Sequence, residues 1–156
     1  MAEKSIFTKK ELNFLKELKS HNISFMIVGL SAAALQGAPV VTQDIDIWFK
    51  DVDDPSLKKV LRKLNATYVP LSKDNPPLIV GEQINLFDIV TCVHGVKSFE
   101  EELVKAVDIR IGRLKIKVLN LKSIIKSKKY LNREKDKLVI PVLEDVLLTL
   151  QNSPKT

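Results

Sequence analysis

The chain holds a single cysteine and only five glycines in 156 residues. With Cys92 alone, no disulfide framework forms within it, and the residue reads as a small core side chain. Aromatic side chains make up just 6%. Long apolar runs are missing as well. The stretch Phe25-Met-Ile-Val28 is typical, far short of the roughly 20 residues a membrane-spanning helix needs. The opening Met1-Ala-Glu-Lys-Ser-Ile6 lacks the apolar centre of a secretory leader. The expectation is a cytoplasmic protein without a membrane partner. What is present is 45% apolar and 28% charged residues, a globular composition too apolar for general disorder. Length and composition together predict a single domain over 1–150, large enough for a sizeable core, and a flexible tail over 151–156.

The net charge of +6 is unevenly spread. Residues 105–137 carry 12 basic and three acidic side chains, more than the whole excess. Such asymmetry points to an anionic partner, nucleic acid or polyphosphate, with a solvated lysine-rich surface as the plain alternative.

Thr8 caps a helix over 8–20, with Glu11 at capping-box spacing. Ile23 to Val28 reads as a buried strand that Gly29 breaks, and Leu30 to Gln36 as an Ala-rich helix stopped by Gly37 and Pro39. Val40 to Phe49 alternates like a strand. Pro55 opens a helix to Leu64. A short strand and a loop are expected over 66–82, around Pro70, Pro76 and Pro77, then a strand from Ile84 to Val93. Ser98 caps a helix over 99–106 and short strands fill 107–118. Helices follow from Asn120 to about 130 and from Glu134 to Leu150. Alternating elements predict an α/β (α+β) fold, a mixed central sheet flanked by helices with further helices at the C-terminus.

Three features bear on chemistry. In Val28-Gly-Leu-Ser31 a buried strand turns through glycine into a helix. Such a turn frees backbone N–H groups for phosphate, and the Ser31 hydroxyl would donate to it; a plain structural turn is the duller reading. In Thr42-Gln-Asp-Ile-Asp-Ile-Trp48, Asp44 and Asp46 stand two apart, on one face of a strand, with Ile45 and Ile47 toward the core. Paired carboxylates repel unless a cation lies between them, and oxygen ligands suit Mg²⁺ or Mn²⁺; an exposed edge strand would explain the pattern otherwise. Third, Asp88 sits alone in the apolar run Asn85-Leu-Phe-Asp-Ile-Val90 and needs a metal, a partner or solvent. If its strand neighbours that of Asp44, three carboxylates converge as two-metal phosphoryl transfer requires. Trp48 would stack a base or pack on the sheet, and His21 and His94 read as turn residues.

In this order, these pieces resemble the polymerase-β-type nucleotidyltransferase superfamily. The likeness covers about residues 10 to 150. It is strongest to the small prokaryotic branch that includes abortive-infection-type toxin nucleotidyltransferases, through Phe87-Asp-Ile-Val90, Gly95-Val-Lys-Ser-Phe99, Lys122-Ser-Ile-Ile-Lys126 and Arg133-Glu-Lys-Asp136. Leu30 departs from the usual Gly or Ser, and Val40 and Val41 stand where an Arg is common. The resemblance implies that Asp44, Asp46 and Asp88 hold Mg²⁺ or Mn²⁺ and form the catalytic triad, Asp88 also serving as general base. It implies that Gly29, Ser31, Lys126, Arg133 and Lys135 meet the nucleotide, that Thr42 fixes the Asp strand, and that Asp136 orients a lysine. The implied activity moves an NMP from an NTP to a hydroxyl of RNA, protein or a small molecule. A weakened nucleotide- or nucleic-acid-binding module, for instance within a toxin–antitoxin pair, is the alternative. A homodimer or a small helical protein is the implied macromolecular partner.

Overall fold

A computed structural model describes residues 7–42, 44–69, 78–81 and 87–152. In chain order the elements are α1 (Lys9–Ser20), β1 (Phe25–Val28), α2 (Gly29–Leu35), β2 (Ile45–Phe49), α3 (Pro55–Lys63), β3 (Thr67–Val69), β4 (Leu78–Val80), β5 (Phe87–Val90), α4 (Phe99–Val104), β6 (Val107–Ile111), β7 (Leu114–Val118), α5 (Leu121–Leu131) and α6 (Glu134–Asn152).

Helix starts follow their caps. Thr8 and Glu11 form a reciprocal capping box on α1, while Asp54, Ser98 and Asn120 each accept from a first-turn N–H of α3, α4 and α5. Asn132 takes a left-handed conformation (φ 51°) that ends α5. The chain therefore reverses sharply into α6, a place where Asn is among the few tolerated side chains.

The strands form one mixed sheet of order β3-β4-β5-β2-β1-β7-β6. β1 runs antiparallel to β2, and β2 runs parallel to β5. Ile45 pairs with Phe87, Asp46 with Asp88 and Ile47 with Ile89. Side chains alternate along each strand, so this register divides the residues cleanly. Ile45, Ile47, Phe87 and Ile89 are buried on one face, where Phe14 of α1 meets Phe87 edge-on at 5.0 Å. Asp46, Trp48 and Asp88 share the other, and there Trp48 packs edge-on against Phe99 of α4 at 5.2 Å. The tryptophan is thus a packing residue.

Several boundaries differ from the sequence expectation. β2 begins only at Ile45; residues 40–42 and Asp44 lie outside any strand. Thr42 Oγ1 donates to the Asp44 carbonyl at 2.8 Å, turning the chain just before the sheet. β1 starts at Phe25 rather than Ile23. Two strands, β3 and β4, pair antiparallel where one was expected, and the prolines 70, 76 and 77 lie outside the described residues. β5 spans Phe87–Val90; the expected extension over 84–86 also falls outside them. Cys92 is exposed, because it follows β5 in a turn rather than packing inside. Gln151 and Asn152, assigned to the tail from sequence, continue α6.

Candidate active site

The site forms where β1 and β2 meet at their Gly29 and Asp46 ends. Val28 pairs with Asp46 across the two strands. Gly29 has φ +66°, and a Cβ there would collide with Asp46 Oδ2. Glycine is therefore required twice, by backbone conformation and by the carboxylate lying against it. Ser31, in contrast, is fully buried. Its hydroxyl donates to the Val28 carbonyl at 2.8 Å and accepts from the Asp46 N–H at 3.2 Å. The first ties α2 to β1 and the second ties it to β2. The hydroxyl expected to meet phosphate faces inward, with its donor committed to the Val28 carbonyl.

One pocket gathers Leu30, Thr42, Asp44, Asp46 and Asp88 with Lys128, Arg133, Lys135 and Asp136. A second, largely apolar lobe shares Gly29 with the turn and Asp46, Lys128 and Arg133 with the first; His94, Cys92 and Ile124 line it. Burial drives the Asp46 carboxyl up to about 6; the negative charges of Asp88 and Asp44 add to the rise, while Lys128 and Lys135 oppose it. Asp88 is also raised, by partial desolvation and then by Asp44. These carboxylates repel one another, and the two lysines only partly offset that repulsion at Asp46. The donors are all hard oxygens, which suits Mg²⁺ or Mn²⁺. Among the described residues, no group of three His, Cys, Asp or Glu side chains is drawn together tightly enough to hold one ion. The acids share a pocket without closing into a ligand cage.

The basic wall is built differently. Asp136 is fully buried at the start of α6. It accepts from Arg133 Nε at 2.7 Å, Arg133 Nη2 at 3.1 Å and the Arg133 backbone N–H at 3.0 Å. Lys128 Nζ lies 3.6 Å away. The Arg133 hydrogen bonds hold the Asp136 carboxyl down at about 2. Burial lowers the Lys128 ammonium, with repulsion from Arg133 and Lys135, against the pull of Asp136 and Asp46. Asp136 thus fixes two cations at the pocket wall, a bidentate geometry arginine is suited to.

Lys126, expected from sequence to meet phosphate, is exposed and lines neither lobe. Residues two apart on a helix point about 200° apart, so Lys126 and Lys128 cannot share a face. Lys128 is the residue that sequence reasoning missed. Its signal was the apolar flank, Ile124 four residues before and Leu131 three after, both also lining the second lobe. Asp44, Asp46, Asp88, Gly29, Thr42, Arg133 and Lys135 do come together around the two lobes. His94 stacks on Tyr130 with ring centroids 6.4 Å apart, bracing the wall beside Cys92.

No protein-family model matches the chain, and no curated protein sequence does. Solved structures do. The antibiotic-resistance factor ANT(2'')-Ia, determined with adenylyl-2''-tobramycin, aligns with a TM-score of 0.61 at 16% identity, over 91% of this chain and 94% of that one. The fold is nucleotidyltransferase-like. The lincosamide antibiotic adenylyltransferase LnuA, lincomycin-bound, shares this nucleotidyltransferase-like fold with a TM-score of 0.56 at 16% identity, over 92% of this chain and 99% of its own. An antigenic nucleotidyltransferase-like protein from Paracoccidioides brasiliensis does so at 0.54 and 15%, over 86% and 73%. Among the described residues, no helix is long and apolar enough to cross a membrane.

Proposed function

We propose that the protein is a metal-dependent nucleotidyltransferase, moving a nucleoside monophosphate from an NTP to a hydroxyl on a small molecule. The meeting of Asp44, Asp46 and Asp88 with Lys128, Arg133 and Lys135 in one pocket carries this reading. Similarity of fold to structures holding adenylyl-tobramycin and lincomycin favours a small acceptor over RNA or protein. The short Arg133-Glu-Lys-Asp136 element favours the abortive-infection-type branch, with its acceptor then an outcome of the assay.

In the reaction the acceptor oxygen bonds to the α-phosphorus of the NTP. The bond from that phosphorus to the bridging oxygen breaks, and pyrophosphate leaves. Asp88 takes the acceptor proton; it is exposed to the pocket and its proton affinity is raised. Lys128, Arg133 and Lys135 attract the triphosphate, while Asp136 keeps the first two from relaxing into solvent. Asp44, Asp46 and Asp88 would hold Mg²⁺ or Mn²⁺, which supplies charge neutralisation for the triphosphate and the departing pyrophosphate.

Incubation with Mg²⁺, labelled NTPs and pools of hydroxylated acceptors tests the reading. Label should reach an acceptor and disappear with Asp44→Ala and with Asp46→Ala; transfer that persists in both variants would sink it. Leu30 and the inward-facing Ser31 motivate a second reading, a module that binds nucleotide without transferring it, as in a toxin–antitoxin pair. Metal-dependent NTP binding with no transfer to any acceptor would favour that module.

A further inference from the structure

On the face of the sheet that carries α1, a groove runs between that helix and the tip of the β6–β7 hairpin. It encloses about 440 Å³, within the range of small-molecule sites. Ile27 lies opposite both Ile47 and Val118. Side chains alternate along β7, so Leu114 shares that face, and Ile111 pairs with it across the hairpin. The groove therefore opens on the side of the sheet away from Asp46 and Asp88.

Its floor is apolar. Leu12, Ile111 and Leu114 are half-buried and pack against the core. Its rim is cationic. Lys9, Asn13 and Lys16 follow at steps of four and three, on one side of α1, and Arg113 stands across from them at the hairpin turn. All four are exposed. Among the described residues that line the groove none is acidic, and Lys9, Lys16 and Arg113 make no ion pair among the described residues. The acids of these elements are engaged elsewhere: Glu11 closes the capping box of α1, Glu17 holds Lys63, and Asp108 holds Lys115 and Lys117. The helix dipole opposes a lysine in a first turn, so the stability of α1 does not account for Lys9.

We propose that this groove binds a small anionic amphiphile, an acidic head on an apolar body. The body lies on Leu12, Ile111 and Leu114, and the rim cations hold the head, with the Asn13 amide as a further donor. About 10 Å of helix separates Lys9 from Lys16. The two lysines thus flank the apolar floor, and a bare inorganic anion would leave that floor uncovered. A neutral apolar molecule would leave three cations unmatched. Carboxylate and phosphate heads share the required chemistry. The inference is independent of nucleotidyl transfer, because groove and carboxylate pocket lie on opposite faces of the sheet.

Fluorescence of anilinonaphthalene sulfonate, an anionic aromatic probe, tests it on the full chain without metal or nucleotide. The probe should brighten on binding. Dodecanoate or dodecyl phosphate, below micelle-forming concentrations, should displace it, and the stronger competitor identifies the head. Uncharged octyl glucoside and inorganic phosphate should each compete at least about tenfold less well, since each supplies only one half of the chemistry. Lys16→Glu and Arg113→Glu should each weaken the probe by about tenfold, with unchanged circular dichroism because both side chains are exposed. Lys122→Glu, the same charge change on the exposed face of α5, should leave binding as it was. No brightening overturns the proposal. So does binding indifferent to Lys16→Glu and Arg113→Glu, or weakened equally by Lys122→Glu. Octyl glucoside or phosphate competing as well as dodecanoate overturns it too, as does displacement by ATP with Mg²⁺, which would put the probe in the nucleotide pocket.

Discussion

The two walls of the pocket meet the same problem of buried charge in opposite ways. On the strand side, Asp46 and Asp88 lie side by side with their proton affinities raised. On the helix side, Asp136 lies deeper still, yet Arg133 holds its carboxyl at about 2. One wall is electrostatically incomplete and the other is satisfied from within the chain. Incompleteness suits a place that takes up an ion and a nucleotide; satisfaction suits one that must keep its cations in position.

The comparison breaks most directly at Asp46. Asp46→Asn should lower nucleotidyl transfer by about 10³-fold, the scale of losing one preorganised charged group. Turnover with labelled NTP within a few-fold of wild type would remove the acidic wall from the chemistry. On the other wall, Asp136→Ala should cost about 3 kcal/mol in urea unfolding at neutral pH, because Lys128 and Arg133 lose their buried counter-charge. Asp136 has a depressed pKa, so its stabilisation is present above the ordinary carboxylate range and lost as pH falls through about 2. The deficit of the variant should therefore shrink in strong acid; a deficit that stays constant would assign it to packing.

Asp46 gives the opposite sign. Its raised pKa means the neutral form is favoured on folding, so its stabilisation is present in acid and lost as pH rises through about 6. Asp46→Asn should then be more stable than wild type by about 2 kcal/mol in mildly alkaline buffer and equal to it near the ordinary carboxylate pKa of about 4. Added Mg²⁺ should narrow that gap by stabilising the wild type alone. Thermal melts across pH and metal concentration would show a flat difference if the Asp46 carboxyl kept its ordinary proton affinity in the folded protein. The smallest contrast lies within α5: Lys128→Ala should weaken NTP binding about tenfold, and Lys126→Ala less than about twofold, by calorimetry. Equal effects would show that the exposed face of α5 also meets the nucleotide.

Much of this was legible from local rules. Capping residues marked α1, α3, α4 and α5, and the alternation of Ile45, Asp46 and Ile47 assigned the two faces of β2 before any tertiary contact was known. The spacing of Gly29, Asp44, Asp46 and Asp88 was enough to suggest a shared site. Residues whose role depends on a third dimension were harder. Ser31 looked like a phosphate donor, but the tight turn at Gly29 swings its hydroxyl back onto β1 and β2. Lys126 and Lys128 look alike in a basic run, and only the packing of α5 on Ile124 separates inward from outward. Cys92 read as core because valines surround it in sequence, while the chain has already left the sheet there.

Under the proposed function, the pairing of β2 with β5 ties chemistry to folding fidelity. These strands are distant in sequence and have no hairpin to set their alignment. Were β5 to slide by one residue, Asp88 would turn toward α1, and Phe87 and Ile89 would face the pocket. Such a molecule would keep most of its secondary structure and lose one of three acids. Catalytic output would thus report strand alignment molecule by molecule, and a genetic selection for activity would double as a proofreader of the sheet.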